Sequence, residues 1–242
     1  MISTPLFLLR LKSKIYEFIQ VGEIHLGRTL VTQDMWEEIM GYNPSNYRGP
    51  SLPVDNISYA EIKDFLYKLQ DLTSECIGVS VNFYLMSENE WNDIATDSLM
   101  VYRDSEIITN AGVSSGFRGL NIWSAENSDN QPHPVAQTVP DENGLYDMYG
   151  NVWEICISQS SQDSVINHYL PQRADFNNEL DYKRALLKYN LLNSRANEPR
   201  LEIVLKGGAW NMYARDCTKQ SRIIIGEQDK FANAGFRICV RM

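Results

Sequence analysis

The chain has 242 residues, of which 43% are hydrophobic and 11% aromatic, and its formal net charge at pH 7 is −9. This composition is typical of a globular protein and excludes an intrinsically disordered one. The negative charge argues against nucleic acid or an anionic membrane as the main partner, and no apolar run is long enough to predict a membrane span.

The first predicted element is an apolar run at residues 5–9, which we interpret as a first strand or arm. The run is too short for a secretory signal, no charged region precedes it and no small-residue cleavage site follows it. We therefore expect a protein of the cytoplasm, or one carried on a larger particle or surface by another route.

Three short helices are predicted next, each by the residues that typically begin a helix and by apolar residues at helical spacing. The start signals are, in chain order, Thr32, the capping box Ser58–Glu61 and the capping box Ser87–Glu90. Gly41 should end the first of these helices, because glycine readily adopts the left-handed conformation of a helix C-terminus.

Regular patterns become sparse after the third helix. Residues 96–139 are rich in Asn, Ser, Asp and Gly, which predicts turns and loops. Residues 158–200 are polar apart from a predicted helix at Leu180–Leu192, and this segment is interpreted as an insertion. Without an internal repeat or a low-complexity linker, we expect residues 1–242 to form a single domain.

Six stretches, taken in order, resemble the formylglycine-generating enzyme family, also called the sulfatase-modifying-factor domain. They are VTQDMWEEIMGYNPS, LPVDNISYAEIKDFLYKL, YLMSENEWNDIA, GLYDMYGNVWEIC, KGGAW and GFR. The resemblance runs from about Gly27 to Arg241. It implies an α+β fold, an elaboration of the C-type lectin fold with a short antiparallel sheet, few helices and much irregular loop. The glycine-rich opening hairpin usual in the family is not evident before Ile24.

The resemblance does not extend to the catalytic cysteines. Family members that make formylglycine bind copper(I) through two thiolates, which suit this soft ion. Counting from the GG pair puts the two positions at Cys217 and Arg222, and counting back from GFR puts them at Ala214 and Lys219. Neither alignment gives a pair, so no copper is expected, and the four cysteines are interpreted as reduced, buried apolar residues.

The motif GLYDMYGNVWE predicts a structural calcium site by the same resemblance. Its ligands would be the side chains of Asp147 and Glu154 and the backbone carbonyls of Gly150 and Val152, and such oxygen ligands suit a hard cation. The alternative is that the neighbouring tryptophan anchors the core and that Glu154 pairs with an arginine such as Arg237.

A second calcium site of the family would use Asn121 and the carbonyl of Ile122. An oxygen ligand from the following loop, Asn127 or Asp129, would complete it. This loop is shorter than is usual in the family.

The C-terminal stretch between GGAW and GFR is predicted to form a binding face, because it mixes aromatic anchors with aliphatic and short polar side chains. The predicted ligand-contacting residues are Trp210, Asn211, Tyr213, Asp216, Arg222, Ile223, Ile225, Asp229 and Phe231. Three consecutive isoleucines, residues 223–225, either belong to this face or form a buried strand. Gly207 and Gly208 permit close backbone approach or a positive φ, and Arg237 is expected to tie the last strand by bidentate hydrogen bonds.

The same stretch resembles the hypervariable segment of variable proteins from diversity-generating retroelements, which runs from GG-x-W to the terminal GFR. Eight of its residues can be reached from an asparagine codon by changing adenines alone, but Met212 cannot. The leading hypothesis is a non-catalytic protein that binds a protein or glycan ligand, and the oligomeric state is left open. The alternative is an oxidoreductase of the formylglycine-generating enzyme family with altered active-site chemistry.

Overall fold

The computed structural model describes residues 7–11, 14–77, 81–96, 101–103, 106–109, 112–113, 122–157, 178–180, 182–184 and 202–241. Much of this part of the chain is irregular loop held between short strands and a few helices. The strands are β1 Phe7–Leu11, β2 Lys14–Val21, β3 Ile24–Gly27, β4 Asn82–Leu85, β5 Val101–Arg103, β6 Glu106–Thr109, β7 Gly112–Val113, β8 Trp153–Ile157, β9 Ile203–Lys206, β10 Arg222–Ile225, β11 Ala234–Gly235 and β12 Ile238–Arg241. The helices are α1 Gln33–Met40, α2 Tyr59–Ile77 and α3 Glu88–Ile94, with a 3-10 turn at Ala214–Asp216.

The largest sheet has five antiparallel strands in the order β1-β2-β3-β12-β4, so the last strand of the chain lies between early ones. An opening hairpin is present although no glycine-rich signature predicted it. Gly22, at the turn between β2 and β3, has φ +62°, and a Cβ added to it would meet nothing within 4 Å. A single glycine therefore provides the left-handed residue that the turn requires.

A second sheet has the order β10-β9-β8-β11 and positions the candidate site. Strand β9 runs antiparallel to both of its neighbours, whereas β11 pairs parallel with β8 through Ala234 and Trp153. One end of this sheet therefore gathers the first residues of β8, β10 and β11 and the last residue of β9.

The three predicted helices are confirmed, with both capping boxes, whereas Thr32 lies at the start of α1 without a capping hydrogen bond from its side chain. Ser87 and Glu90 form a reciprocal capping box, in which the Ser87 amide donates to Glu90 over 2.9 Å and the Glu90 amide donates to the Ser87 hydroxyl over 3.2 Å. Ser58 and Glu61 make the same exchange at the start of α2. Helix α1 ends at Gly41 with φ +81°, as predicted.

Residues 96–139 are not all loop, which corrects the prediction for that stretch. Strands β5, β6 and β7 form a small antiparallel sheet. The polar composition concealed these strands because they are only two to four residues long. From residue 122 to 139 the chain is irregular, as expected, and it stays irregular to residue 152.

The predicted insertion, residues 158–200, lies mostly outside the described residues. Only 178–180 and 182–184 are described, and five of these six residues are helical, which is consistent with the beginning of the predicted helix Leu180–Leu192. Among the described residues, no helix is long and apolar enough to cross a bilayer.

The core joins the first two helices to the end of the chain. Trp36 of α1 stacks on Phe65 of α2 with ring centroids 5.2 Å apart, and Phe236 meets both rings edge-on at 6.2 Å and 5.3 Å. All three side chains are fully buried. Aromatic contacts of this geometry contribute about 0.5–1.5 kcal/mol each beyond their buried area, so the GFR motif is anchored where the helices pack.

Candidate functional site

An open cleft of about 500 Å³ lies across the end of the four-stranded sheet where β8, β10 and β11 begin. Its lining residues are Trp153, Asn211, Met212, Arg215, Asp216, Thr218, Ser221, Arg222, Ile223 and Asn233. The buried indole of Trp153 is contributed by β8, and the other lining residues come from the C-terminal stretch. The predicted binding face therefore coincides in part with a concave surface, which is the usual form of a ligand site.

The cleft contains four of the nine predicted ligand-contacting residues: Asn211, Asp216, Arg222 and Ile223. Tyr213 is exposed close by, and the Arg215 guanidinium lies 4.9 Å from the centre of its ring. Trp210 is half-buried and meets the ring of Tyr47 edge-on at 6.0 Å.

The other three predicted ligand-contacting residues lie outside the cleft and contact the rest of the chain. Ile225 is buried in the core, and Phe231 is half-buried against it. The Asp229 carboxylate accepts a hydrogen bond from the Gly226 amide over 2.7 Å and so closes the turn after β10. None of the three lines the cleft, although Asp229 is exposed and Phe231 is partly so. The isoleucine run is an edge strand with only its last residue buried.

Arg222 is held in a fixed orientation at the rim of the cleft. Its Nε donates to Glu88 over 2.7 Å, and one terminal nitrogen donates to Glu202 over 3.0 Å. Glu88 also lies 3.8 Å from the buried ammonium of Lys206, whose pKa is lowered by burial. Because the guanidinium is already oriented, less side-chain entropy is lost when it hydrogen-bonds a ligand.

Two amides that line the cleft form a polar patch. Asn233 donates to Asn211 over 2.9 Å, and both side chains retain further donor and acceptor capacity. Sequence analysis missed Asn233, together with Arg215, Thr218 and Ser221. In the sequence, only their position between GGAW and GFR indicated that these residues belong to the binding face. Their approach to β8 depends on the pairing of strands that are distant in the chain, so no local pattern predicts it.

Cys217 lies beneath the cleft and not in it. Its side chain is buried, its thiol is 3.9 Å from the carbonyl of Ala209, and burial raises its pKa to about 12. A thiol with such a pKa is protonated at neutral pH, whereas the thiolate is the form that binds metal or attacks an electrophile. Cys156 and Cys239 are also free and buried, as predicted, and the side chain of Cys76 lies outside the described residues.

The glycine pair explains why Cys217 lies there. Gly207 and Gly208 have φ of +86° and +84°, as the sequence predicted. A Cβ on Gly207 would come within 2.4 Å of the Met148 carbonyl oxygen, and one on Gly208 within 2.5 Å of the Cys217 sulfur. The pair therefore allows the chain after β9 to pack directly on its neighbours.

Arg237 and Glu154 form a buried ion pair. This pair is the alternative to a calcium site that we predicted from the sequence. One terminal nitrogen donates to Glu154 over 2.6 Å, and Nε lies 3.2 Å and 3.3 Å from the two carboxylate oxygens. The guanidinium also donates to the carbonyls of Gly27, Arg28 and Tyr146. Burial tends to raise the pKa of the Glu154 carboxyl, and the guanidinium opposes that rise.

The other predicted calcium ligands do not form a ready cation site in this arrangement. One Asp147 oxygen accepts from the Ala136 amide over 3.0 Å, and burial raises the pKa of Asp147 to about 6. The Gly150 amide donates to the carbonyl of Gly207 over 3.1 Å, so this turn is tied to the glycine pair. Within the described ranges, no cluster of three or more His, Cys, Asp or Glu residues could hold a metal ion. The donor set as arranged does not fit calcium, and the site stays a prediction.

The second predicted calcium site is only partly described. Asn121 lies outside the described residues, and the carbonyl of Ile122 accepts a hydrogen bond from the Asn127 side chain over 2.9 Å. Asp129 is exposed and has φ +53°. This site also stays a prediction.

The family model described as "Sulfatase-modifying factor enzyme 1-like domain" matches residues 12–242. The chain belongs to this family. Among solved structures of the same fold, it is similar to Treponema denticola variable protein 1, with a TM-score of 0.65 and 21% identity over 99% of this chain and 100% of that one. It is also similar to PvdO from Pseudomonas aeruginosa, with a TM-score of 0.59 and 14% identity over the same shares, and to CarF, with a TM-score of 0.53 and 15% identity over 90% and 86%.

One curated relative of this sulfatase-modifying-factor chain is "Chaperone protein LppX" from Paenibacillus barcinonensis. The two are 27% identical over 180 residues, which is 57% of this chain. The match spans 63% of the length of that relative, less than two thirds. These likenesses, with the α+β architecture of few helices and mostly antiparallel sheets, confirm the fold that the six sequence stretches predicted.

Proposed function

We propose that this chain is a non-catalytic binding protein whose ligand, a protein or a glycan, occupies the cleft at the end of the four-stranded sheet. The observation that carries this proposal is the position of the C-terminal stretch. Its side chains line an open cleft, while its one thiol, that of Cys217, is buried outside the cleft.

The chemistry of the cleft supports binding rather than oxidation. Arg222 and the paired amides Asn211 and Asn233 offer oriented hydrogen-bonding groups, and Ile223 offers apolar area. This combination is typical of surfaces that recognise a ligand without transforming it. The raised pKa of Cys217 keeps its sulfur protonated, and neither family alignment supplies a second thiolate.

A screen on two defined libraries tests the proposal. The purified chain is panned against a phage library of random dodecapeptides and probed on a printed glycan array. We expect ligands enriched by the wild-type chain to be lost by the triple variant Asn211→Ala, Asp216→Ala and Ile223→Ser. The matched control changes three exposed residues away from the cleft, Glu37, Tyr67 and Leu72, to alanine.

Two results would overturn the binding proposal. One is retention of every enriched ligand by the cleft variant, which would place recognition elsewhere on the chain. The other is copper-dependent turnover of a cysteine-containing sulfatase peptide by the purified chain, which would favour the oxidoreductase alternative.

The proposal extends to how the residues of the C-terminal stretch arose, which is by diversification through a retroelement. The fold similarity to a protein whose name describes it as variable is consistent with a diversified C-terminal segment. Of the eight positions reachable by adenine changes, all but Ile225 retain some exposure: Tyr213, Asp216, Ser221, Ile223, Gly226, Asp229 and Phe231. Surface positions tolerate substitution far better than core positions do. A reverse transcriptase gene and a near-copy of the 3′ end beside this gene would support this extension, and their absence from the complete genome would contradict it.

A further inference from the structure

The main chain of the C-terminal stretch is hydrogen-bonded by groups from other parts of the molecule. At the beginning of the stretch, the buried Ser128 hydroxyl donates to the carbonyl of Trp210 over 2.8 Å. The backbone amide of Ala125 donates to the carbonyl of Met212, also over 2.8 Å. These two bonds lie on either side of Asn211, which lines the cleft.

Glu126, from the same loop, holds the middle of the stretch. Its two carboxylate oxygens lie 3.1 Å and 3.0 Å from the amide nitrogen of Ala214. The Ser124 hydroxyl donates to this carboxylate over 2.7 Å and so orients it. Ala214 is buried and begins the 3-10 turn that carries Arg215 and Asp216, both of which line the cleft. The first amides of a helical turn have no partner within it, so Glu126 fixes where this turn begins.

Lys206 holds the far end of the stretch, just before β10. Its ammonium donates to the carbonyl of Lys219 over 2.8 Å and lies 5.1 Å from the centre of the Trp91 ring. The side chain is only 3% exposed, and a buried charge is costly when it is left without partners. Lys219 lies in the turn between Thr218 and Ser221, and these two residues line the cleft.

We propose that Glu126 and Lys206 are positioning residues of the cleft, which fix the backbone that carries its lining side chains. Neither residue lines the cleft itself. Both bind main-chain atoms, so their contacts do not depend on which side chains face a ligand. A backbone that is fixed before the ligand arrives loses less conformational entropy on binding. This role rests on the proposed function, which makes the cleft the binding site.

Amide hydrogen exchange of the full chain, followed by NMR, tests the role of Glu126 without a ligand. Glu126→Ala removes the acceptor of the Ala214 amide, which should then exchange at least about tenfold faster. Glu126→Gln keeps one acceptor oxygen and should restore the rate to within about threefold of the wild type. The Ala214 amide should speed up more than the amides of β8 and β9, because a loss of global stability alone would not single it out.

The test of Lys206 uses Lys206→Met, which keeps an apolar stem and removes the donor. The Ser221 amide closes the turn on the carbonyl of Thr218 over 3.1 Å, and it should exchange at least about tenfold faster in this variant. The matched control is Lys219→Ala, since Lys206 bonds only the carbonyl of that residue and its side chain does not line the cleft. This control should leave the Ser221 amide unchanged.

A dodecapeptide or glycan enriched by the wild-type chain is then titrated against the same variants. Its Kd should rise at least about fivefold in Glu126→Ala and Lys206→Met, and Glu126→Gln should restore it. Circular dichroism melts establish that each variant folds, and the two Glu126 variants decide alone if Lys206→Met does not.

Unchanged amide exchange in Glu126→Ala would overturn the positioning role, and so would a loosened stretch that binds the enriched ligand with an unchanged Kd. A screen that enriches no ligand would instead contradict the proposed function, and the exchange rates would then decide the positioning role by themselves.

Discussion

Gly208 lies so close to Cys217 that a Cβ added to it would come within 2.9 Å of the cysteine Cβ as well as 2.5 Å of the sulfur. Its φ of +84° adds a second reason for glycine, because other residues are strained in the left-handed region. Gly41 separates the steric contact from the backbone strain. It has a similar φ of +81°, but no atom lies within 4 Å of a Cβ added to it.

Gly208→Ala should therefore destabilise the chain more than Gly41→Ala does. We expect about 1–2 kcal/mol for Gly41→Ala, from backbone strain alone. For Gly208→Ala we expect a further ~1–3 kcal/mol, because the methyl group overpacks the buried thiol. Urea unfolding of the two variants measures the difference, and equal losses would show that the contact with Cys217 is easily relaxed.

The Glu154–Arg237 pair allows a test of what a buried ion pair contributes. Arg237→Met should cost about 3–5 kcal/mol in unfolding free energy, because it leaves a buried carboxylate without its partner. The control is Lys63→Met, which breaks the exposed pair with Glu227 and should cost less than about 1 kcal/mol. The double change Glu154→Met with Arg237→Met should recover part of the loss, and no recovery would argue against an unpaired charge as the cause.

At the scale of elements, helices were predictable from sequence because their signals are local. Each capping box joins residues three apart, and the structure shows both boxes closed. Strands were less predictable, because their partners are distant and several are short. Strand β10 illustrates this limit. Three isoleucines predicted either a buried strand or a binding face, and they form an exposed edge because β9 covers only one side.

The helix starts provide an element-scale prediction. Ser87→Ala should cost about 1 kcal/mol, because it removes the acceptor for the Glu90 amide. Thr32→Ala should cost less, because the Thr32 hydroxyl donates to the Asp34 side chain and accepts no capping bond from α1. Thermal unfolding of both variants compares them, and a larger loss for Thr32→Ala would contradict the assignment of the caps.

At the scale of the whole molecule, the family and its fold could be predicted from six ordered stretches, but the cleft could not. Its floor combines Trp153 with residues after Gly208, and its wall includes Asn233. These positions meet only because β11 pairs parallel with β8. Such a pairing is set by the packing of the whole chain, and no local pattern at either strand predicts it. The Glu154–Arg237 contact also joins residues that are 83 positions apart in the chain, although their residue types made it one of two expectations.

Calcium binding is a prediction for the whole molecule, because its ligands come from a motif that packs against Arg237. Buried carboxylates at Asp141, Asp147 and Glu154 lie within electrostatic reach of the single guanidinium of Arg237. Seating calcium on Glu154 would displace that guanidinium, and a broken buried pair costs about 3–5 kcal/mol. A calcium site at this position would have to offset that cost, so we expect no measurable calcium binding there.

We therefore expect the melting midpoint in about 2 mM calcium to match that in excess chelator, because binding to the folded state would otherwise raise it. The pH should be held near 7.5, above the raised pKa of Asp147, so that protonation does not compete with the ion. A midpoint several degrees higher in calcium, lost in Asp147→Asn and kept in the exposed control Asp216→Asn, would contradict this expectation. It would show that the four-ligand site predicted by the family motif forms by releasing Arg237 from Glu154.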